Sequence, residues 1–437
     1  MIRSRLLASA LGLTLGLVAL SGAAQAAETT APAAAPAAER ASPSLIVTVV
    51  VDQLSANLFN QYRSQFAGGL KTLADQGMVS INGYQTHGVT VTCAGHSTVL
   101  TGAHPARSGI PANDWINTTT GQETYCLAAP QNTLAHGKNT DNGPVGPEQL
   151  SASTLGDWLK AVSPESRVYG VSGKDRGAIT LAGHKGDGAF WLTDNFGFTT
   201  YVEPGQSAEA RLAPVAALNA RMIDRFTRQA PSWTYSNAAC RRLEGQWTIA
   251  GQTFDSKVPP ANFRLDNSPI LDELTIEGAI ELMDSQQLGR RGVTDMLGVS
   301  LSATDRIGHS YGTQGPEMCE QMLRLDAALG AFLDKLSTIP GGAIVVLTAD
   351  HGGSDFPERS AVEGYPHAGR VDRALQPRVN AALKARFGLD ADPVVSSAGG
   401  FVIVDKDRKS LPEPLRSQVL AAALEMLNAE PQVALAV

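Results

Sequence analysis

The sequence predicts an α/β protein with a mostly parallel central sheet flanked by helices on both faces. Two observations carry that expectation. Leu45–Val51, Met296–Leu301 and the start of Ala343–Gly353 are runs of β-branched and aliphatic residues without alternation, as in strands covered on both faces. Pro316 then opens a segment with Met322, Leu325, Leu329, Phe332 and Leu336 on one stripe, a helix that returns the chain to a parallel neighbour.

Each run also ends in an acid: Asp52, Asp350, and Asp305 by way of Ser302-Ala303-Thr304. Ligands gather at the carboxyl ends of strands in open α/β sheets, so the three carboxylates are expected in one cleft. His309 follows Asp305 by four residues and His351 adjoins Asp350. One buried Asp-His pair is as often a structural ion pair. Three converging acids with two imidazoles form a set suited to zinc.

Taken in order, Arg3 and Arg5 precede the apolar stretch Leu6–Leu20, and Ala24-Gln25-Ala26 offers a small-x-small cleavage site. Residues 1–26 are expected to be a secretory signal. The stretch is short for a membrane span and no cysteine follows it, so no membrane anchor is expected after cleavage, and the location is periplasmic or secreted. Residues 27–44 form an Ala/Pro-rich linker, and 45–437 one α/β domain. Of the 437 residues, 43% are hydrophobic and 18% charged, with net charge −7. Nothing basic suggests nucleic acid, and an anionic substrate needs local positive charge. Cys93, Cys126, Cys240 and Cys319 allow up to two disulfides, with three complete pairings open.

Ser55 is expected to cap a helix through Gln65, and Leu70–Gln76 a second that ends at Gly77. Thr92 sits just before a short helix, bounded by Gly102 and Pro105, whose N-terminus suits an anion. A buried threonine usually only hydrogen-bonds; a metal would activate this one as a nucleophile. Asn113 offers an amide donor, or merely satisfies its own turn. Ser153–Ala161 is expected as a helix and Val168–Gly173 as a strand leading into Lys174-Asp175-Arg176. In an extended segment Lys174 and Arg176 point the same way and could hold one phosphate. Residues 186–266, with Trp191, Trp233 and Trp247, are turn-rich and expected as an insertion or cap. Ser268-Pro269 opens a helix to about Gln287. Beyond Gly353 come His367, a strand at Phe401–Val404 and a helix at Ser417–Asn428. Val433–Val437 resembles the start of a strand, so the polypeptide is expected to continue.

These residues together resemble the alkaline phosphatase superfamily: Asp52, Thr92-Cys93-Ala94-Gly95-His96, Asn113-Asp114-Trp115, Lys174-Asp175-Arg176, Asp305 with His309, and Thr348-Ala349-Asp350-His351-Gly352. The likeness is to bacterial periplasmic enzymes with a threonine nucleophile, relatives of the type I phosphodiesterases and nucleotide pyrophosphatases. It implies an alkaline-phosphatase-like fold and two zinc ions. Asp52, Thr92, Asp350 and His351 would hold one, and Asp305, His309 and a further histidine the other. Thr92 would form a phosphothreonine that water hydrolyses, Asn113 would hold a non-bridging oxygen, and Lys174 and Arg176 the rest of the phosphate.

In the family the third histidine lies in a His-Gly segment downstream of anything present here. His367 alone follows His351, in a different setting. The other histidines, His96 included, are expected in loops or packing. The function implied is zinc-dependent hydrolysis of phosphate monoesters, by a monomer acting on small-molecule phosphate esters. The alternatives are a phosphodiesterase or nucleotide pyrophosphatase, and an inactive metal- or phosphate-binding fragment.

Overall fold

Six strands build the central sheet: β1 (Leu45–Val51), β2 (Val168–Ser172), β3 (Gly188–Leu192), β4 (Phe198–Thr199), β5 (Asp295–Leu301) and β6 (Ala343–Thr348). The structure is a computed structural model describing residues 42–137, 143–193, 197–249, 251–256 and 264–437. The expected signal and most of the expected linker lie outside the described residues. The strand order is β6-β1-β5-β2-β3-β4. All neighbours run parallel except the β3–β4 pair.

The helices that matter for the site are α1 (Ala56–Tyr62), α2 (Gly69–Gln76), α3 (Thr92–Thr101), α4 (Asp175–Ala182), α5 (Ile270–Ser285), α6 (Ala303–Tyr311) and α7 (Pro316–Leu336). They cover both faces of the sheet. Val47, Val49 and Val51 of β1 and Leu297, Val299 and Leu301 of β5 join one core with Leu58, Leu70, Leu274 and Leu325 from α1, α2, α5 and α7. Val50 and Met296 point the other way, into a core with Leu100 of α3 and Leu181 of α4. Both faces of these strands are apolar because both are covered, which is why the runs do not alternate.

β6 departs from the expectation of a strand buried on both faces. It lies at one end of the sheet, with Ile344 51% and Val346 49% exposed. The expected insertion also begins later than residue 186, because β3 and β4 belong to the central sheet. Trp191 packs in β3, and Trp233 is fully buried against Tyr235 and Tyr311. Val433–Val437 forms no strand; Ala436 donates its N–H to Asn428 Oδ1 at 2.8 Å. The four cysteines pair as Cys93–Cys126 and Cys240–Cys319.

Two helix starts are satisfied by side chains, one local and one from a distant element. Ser55 caps α1 as expected, accepting from Leu58 N at 3.1 Å. Asp326 of α7 does the same for the start of α2. Its carboxylate accepts from the N–H groups of Ala67 (2.7 Å), Gly68 (2.6 Å), Leu70 (2.8 Å) and Lys71 (3.3 Å). Removing it strands several donors in a poorly hydrated place. Asp326→Ala is therefore expected to lower stability by on the order of 3 kcal/mol in urea denaturation; a loss under about 0.5 kcal/mol would mean water replaces the carboxylate.

Candidate active site

Parallel registry delivers the acids to one edge. Leu45 pairs with both Asp295 and Ala343, Val51 with Leu301, and Val50 with Thr348, so β1, β5 and β6 end almost level. Asp52 follows β1 directly, Asp305 sits in the first turn of α6, and Asp350 lies two residues beyond β6. All three are almost fully buried. Lys174, at the junction of β2 and α4, places Nζ 2.5 Å from Asp52 Oδ2 and 2.5 Å from Asp305 Oδ2. His351 Nε2 lies 3.2 Å from Asp52 Oδ1 and 3.6 Å from Asp350 Oδ2.

Of those two oxygens, both buried, Asp52 Oδ1 has no aligned donor, and Asp350 Oδ2 has only the His96 ring, which Nδ1 shares with Thr92 O. His351 Nδ1 lies 2.9 Å from Gly352 O, to which it must donate, so Nε2 faces the carboxylates as a lone pair unless it is protonated. Three acceptors facing one another need a cation. The same three residues have ligand atoms all within 4.8 Å of one another. Carboxylate oxygens with one imidazole nitrogen, the ring anchored through its other nitrogen, fit zinc.

The titration behaviour follows from this crowding. Burial works against ionising Asp52, but Lys174 and His351 overcome it and hold its carboxyl well below the usual range. Asp350 is pushed up by burial and by the charge on Asp52. Burial opposes a charge on His351, yet Asp52 and Asp350 raise its pKa to about 9. His309 is raised chiefly by its hydrogen bond to Asp305, 3.2 Å away. Its side chain is 72% exposed, and the Asp305 side thus offers fewer groups than the Asp52 side. His367 lies in an exposed turn.

Thr92 proves to be the first residue of α3 rather than the residue before it. It is 3% exposed, and its hydroxyl makes no hydrogen bond among the described residues. Gly95 presses α3 onto the end of β6: a Cβ there would overlap the Asp350 backbone. Asn113 Oδ1 accepts from Cys93 N at 2.9 Å, which turns its NH2 outward and free to donate. The Cys93–Cys126 bridge and the bond from Cys126 N to Asn113 O (2.8 Å) fasten that turn to the helix.

Lys174 and Arg176 do not share one extended segment as expected. Only Lys174 is extended; Arg176 falls in the first turn of α4. Its guanidinium lies 3.9 Å from Asp175 Oδ1 and against the Tyr125 hydroxyl, which itself donates to Asp175 Oδ1 at 2.9 Å. Tyr125 was invisible in the sequence because it is far from Arg176 along the chain.

His96, expected in a loop or packing, sits fully buried beside Thr92. Its Nδ1 lies 2.9 Å from Asp350 Oδ2 and 3.0 Å from Thr92 O, and its Nε2 2.8 Å from Ser300 Oγ. Both neighbours of Nδ1 are acceptors, so Nδ1 carries the proton. Its spacing of four from Thr92 was the available signal.

With that geometry in view, comparison places the chain. The profile of the family described as type I phosphodiesterase / nucleotide pyrophosphatase matches residues 46–397. The chain belongs to that family, within the alkaline phosphatase superfamily. Alkaline phosphatase PhoK from a Sphingomonas species is 38% identical over 403 residues, spanning 90% of this chain and 70% of the relative. Alkaline phosphatase PhoD of Zymomonas mobilis is 36% identical over 404 residues, spanning 89% and 67%. The crystal structure of alkaline phosphatase PafA matches with a TM-score of 0.77 at 26% identity, covering 89% of this chain and 77% of that one. The central sheet and its flanking helices are thus the alkaline-phosphatase-like fold.

One carboxyl behind the family's site is unlike the rest. Asp272 of α5 is buried and accepts from Ala303 N, at the start of the α6 that bears Asp305, and from Gln321 Nε2 (2.8 and 2.7 Å). Burial raises its pKa from 3.8 to about 7. Between those values the folded protein keeps a proton that the unfolded chain has released. Its stabilising contribution is therefore complete below pH 3.8 and lost as pH climbs through about 7. With chelator present, wild-type stability is expected to fall by up to about 1.4 kcal/mol per pH unit across that window from this group. Asp272→Asn should flatten the slope in urea titrations at successive pH values; an unchanged slope would assign the proton elsewhere.

Proposed function

We propose that the protein hydrolyses phosphate monoesters, with Thr92 as nucleophile and two zinc ions as cofactors. The observation that carries this reading is the buried cluster of Asp52 and Asp350 carboxylate oxygens around His351 Nε2, next to a buried threonine at the start of a helix. Asp52, Asp350, His351 and the Thr92 hydroxyl would hold one ion, and Asp305 and His309 the second. When bound, zinc acts as a Lewis acid on oxygen.

The chain's own groups account for the remaining work. The Thr92 oxygen bonds to phosphorus as the ester oxygen leaves. Water then cleaves the phosphothreonine, releasing inorganic phosphate and restoring the hydroxyl. The Asn113 NH2 donates to a non-bridging oxygen. Lys174 and Arg176 offset the phosphate charge, which builds on the equatorial oxygens. A monoester dianion needs both cations more than a diester, which carries one charge fewer. The net negative protein, at −7, makes that local positive charge more necessary.

The two disulfides support an exported, oxidising location, in line with the proposed signal at 1–26. No described helix is long and apolar enough to cross a membrane.

A second reading, a metal- or phosphate-binding fragment without turnover, draws on the exposed His309 and the short ligand set around Asp305. Chelator should abolish hydrolysis of p-nitrophenyl phosphate and added zinc restore it, with about two zinc ions per chain by elemental analysis. Thr92→Ala should remove the burst of phosphoenzyme with zinc retained. One ion or none, and no turnover, would favour the fragment. Lys174→Ala with Arg176→Ala should cost the monoester roughly a hundredfold more rate than its bis ester; equal losses would favour the diesterase.

A further inference from the structure

We propose that Gln53 is a positioning residue that holds the Asp305 and Asp350 carboxylates at a set separation and thereby couples the two metal-binding halves of the site. This rests on the zinc centre proposed above. Three observations lead to it.

The first is the backbone. Gln53 has φ 67, a left-handed conformation that a residue with a Cβ adopts only when its surroundings over-determine it. Glycine would make the turn between β1 and α1 without that strain.

The second is what the turn achieves. In this conformation the Gln53 N–H donates to Asp350 Oδ1 at 3.1 Å, while its side-chain Nε2 donates to Asp305 Oδ1 at 3.1 Å. One residue grips two carboxylates that lie 45 positions apart in sequence and belong to different proposed ions. The amide orientation follows from chemistry, because an ionised carboxylate only accepts. Asp305 Oδ2 already takes Lys174. The two donors together fix the Asp305 carboxylate plane and so decide which lone pairs face a ligand.

The third is the room made for that side chain. Gly308 in α6 and Gly353 after His351 both abut it: a Cβ at Gly308 would overlap Oε1, and one at Gly353 would overlap Cδ. Two glycines from separate elements thus frame the amide, which is 8% exposed as part of the residue. A side chain that merely filled space would need neither the strained backbone nor an amide at its tip.

The test uses two substitutions that separate the parts. Gln53→Gly keeps the backbone donor to Asp350 and relaxes the turn but loses the grip on Asp305. Gln53→Met keeps the bulk and removes the donor. Full-length proteins stripped by chelator would be titrated with zinc by calorimetry, with thermal midpoints measured alongside. Both variants are expected to bind the weaker zinc ion about ten- to a hundredfold less tightly and the tighter ion as wild type does, and Gln53→Gly to melt no lower than wild type. Wild-type binding of both ions by both variants, with only the midpoint shifted, would reduce Gln53 to packing and overturn the proposal. Wild-type protein that takes up no zinc would overturn the zinc centre instead. In that event a crystal structure of stripped Gln53→Met decides for Gln53: a displaced Asp305 carboxylate supports the bridge, and an unmoved one overturns it.

Discussion

Asp52, Asp305 and Asp350 bring three carboxylates into a space nearly closed to water, and among the described residues Lys174 is the one ammonium, in contact with Asp52 and Asp305. Gathering like charges in a low-dielectric place is strongly unfavourable unless compensated. The surrounding architecture is largely a set of answers to that imbalance. His351 is drawn toward protonation, Asp350 resists ionising, and Gln53 and His96 contribute N–H groups. A residual demand for positive charge is what makes such a pocket receptive to divalent ions.

The sheet makes the gathering possible. Parallel strands of matched registry bring segments more than 240 residues apart to one edge, and each hands over to a turn or helix start just there. α3 adds Thr92, the proposed nucleophile, pressed down at Gly95, and the Cys93–Cys126 link joins it to the Asn113 turn. Rigid elements support each reacting group, and the connecting turns carry the chemistry.

Much of this was legible in the residues. Unbroken apolar runs marked the buried strands, the terminal acids marked the edge of the sheet, and Ser55, Gly77 and Gly102 marked helix ends through local chemistry. What escaped was non-local. An apolar run cannot say whether a further strand lies beside it, so the end position of β6 was hidden. The Lys174-Asp175-Arg176 run carries no signal for where strand yields to helix, and that boundary puts Lys174 on extended backbone and Arg176 in the first turn of α4. Gln53, Tyr125, His96 and Asp272 act through partners distant in sequence. Apart from the spacing of His96 from Thr92, nothing near them announces the contact.

The end position of β6 bears on durability. Among the described residues β6 has a neighbour on one side only, and so half the main-chain bonding of an interior strand. Here that loosely laced strand leads directly to Asp350 and His351. An ion shared among Asp52, Asp350 and His351 would therefore act as a rivet between this edge strand and β1. Losing the ion would remove that tie at a strand whose Ile344 and Val346 are already half exposed. On this account, keeping the metal and keeping the edge strand fastened are one property.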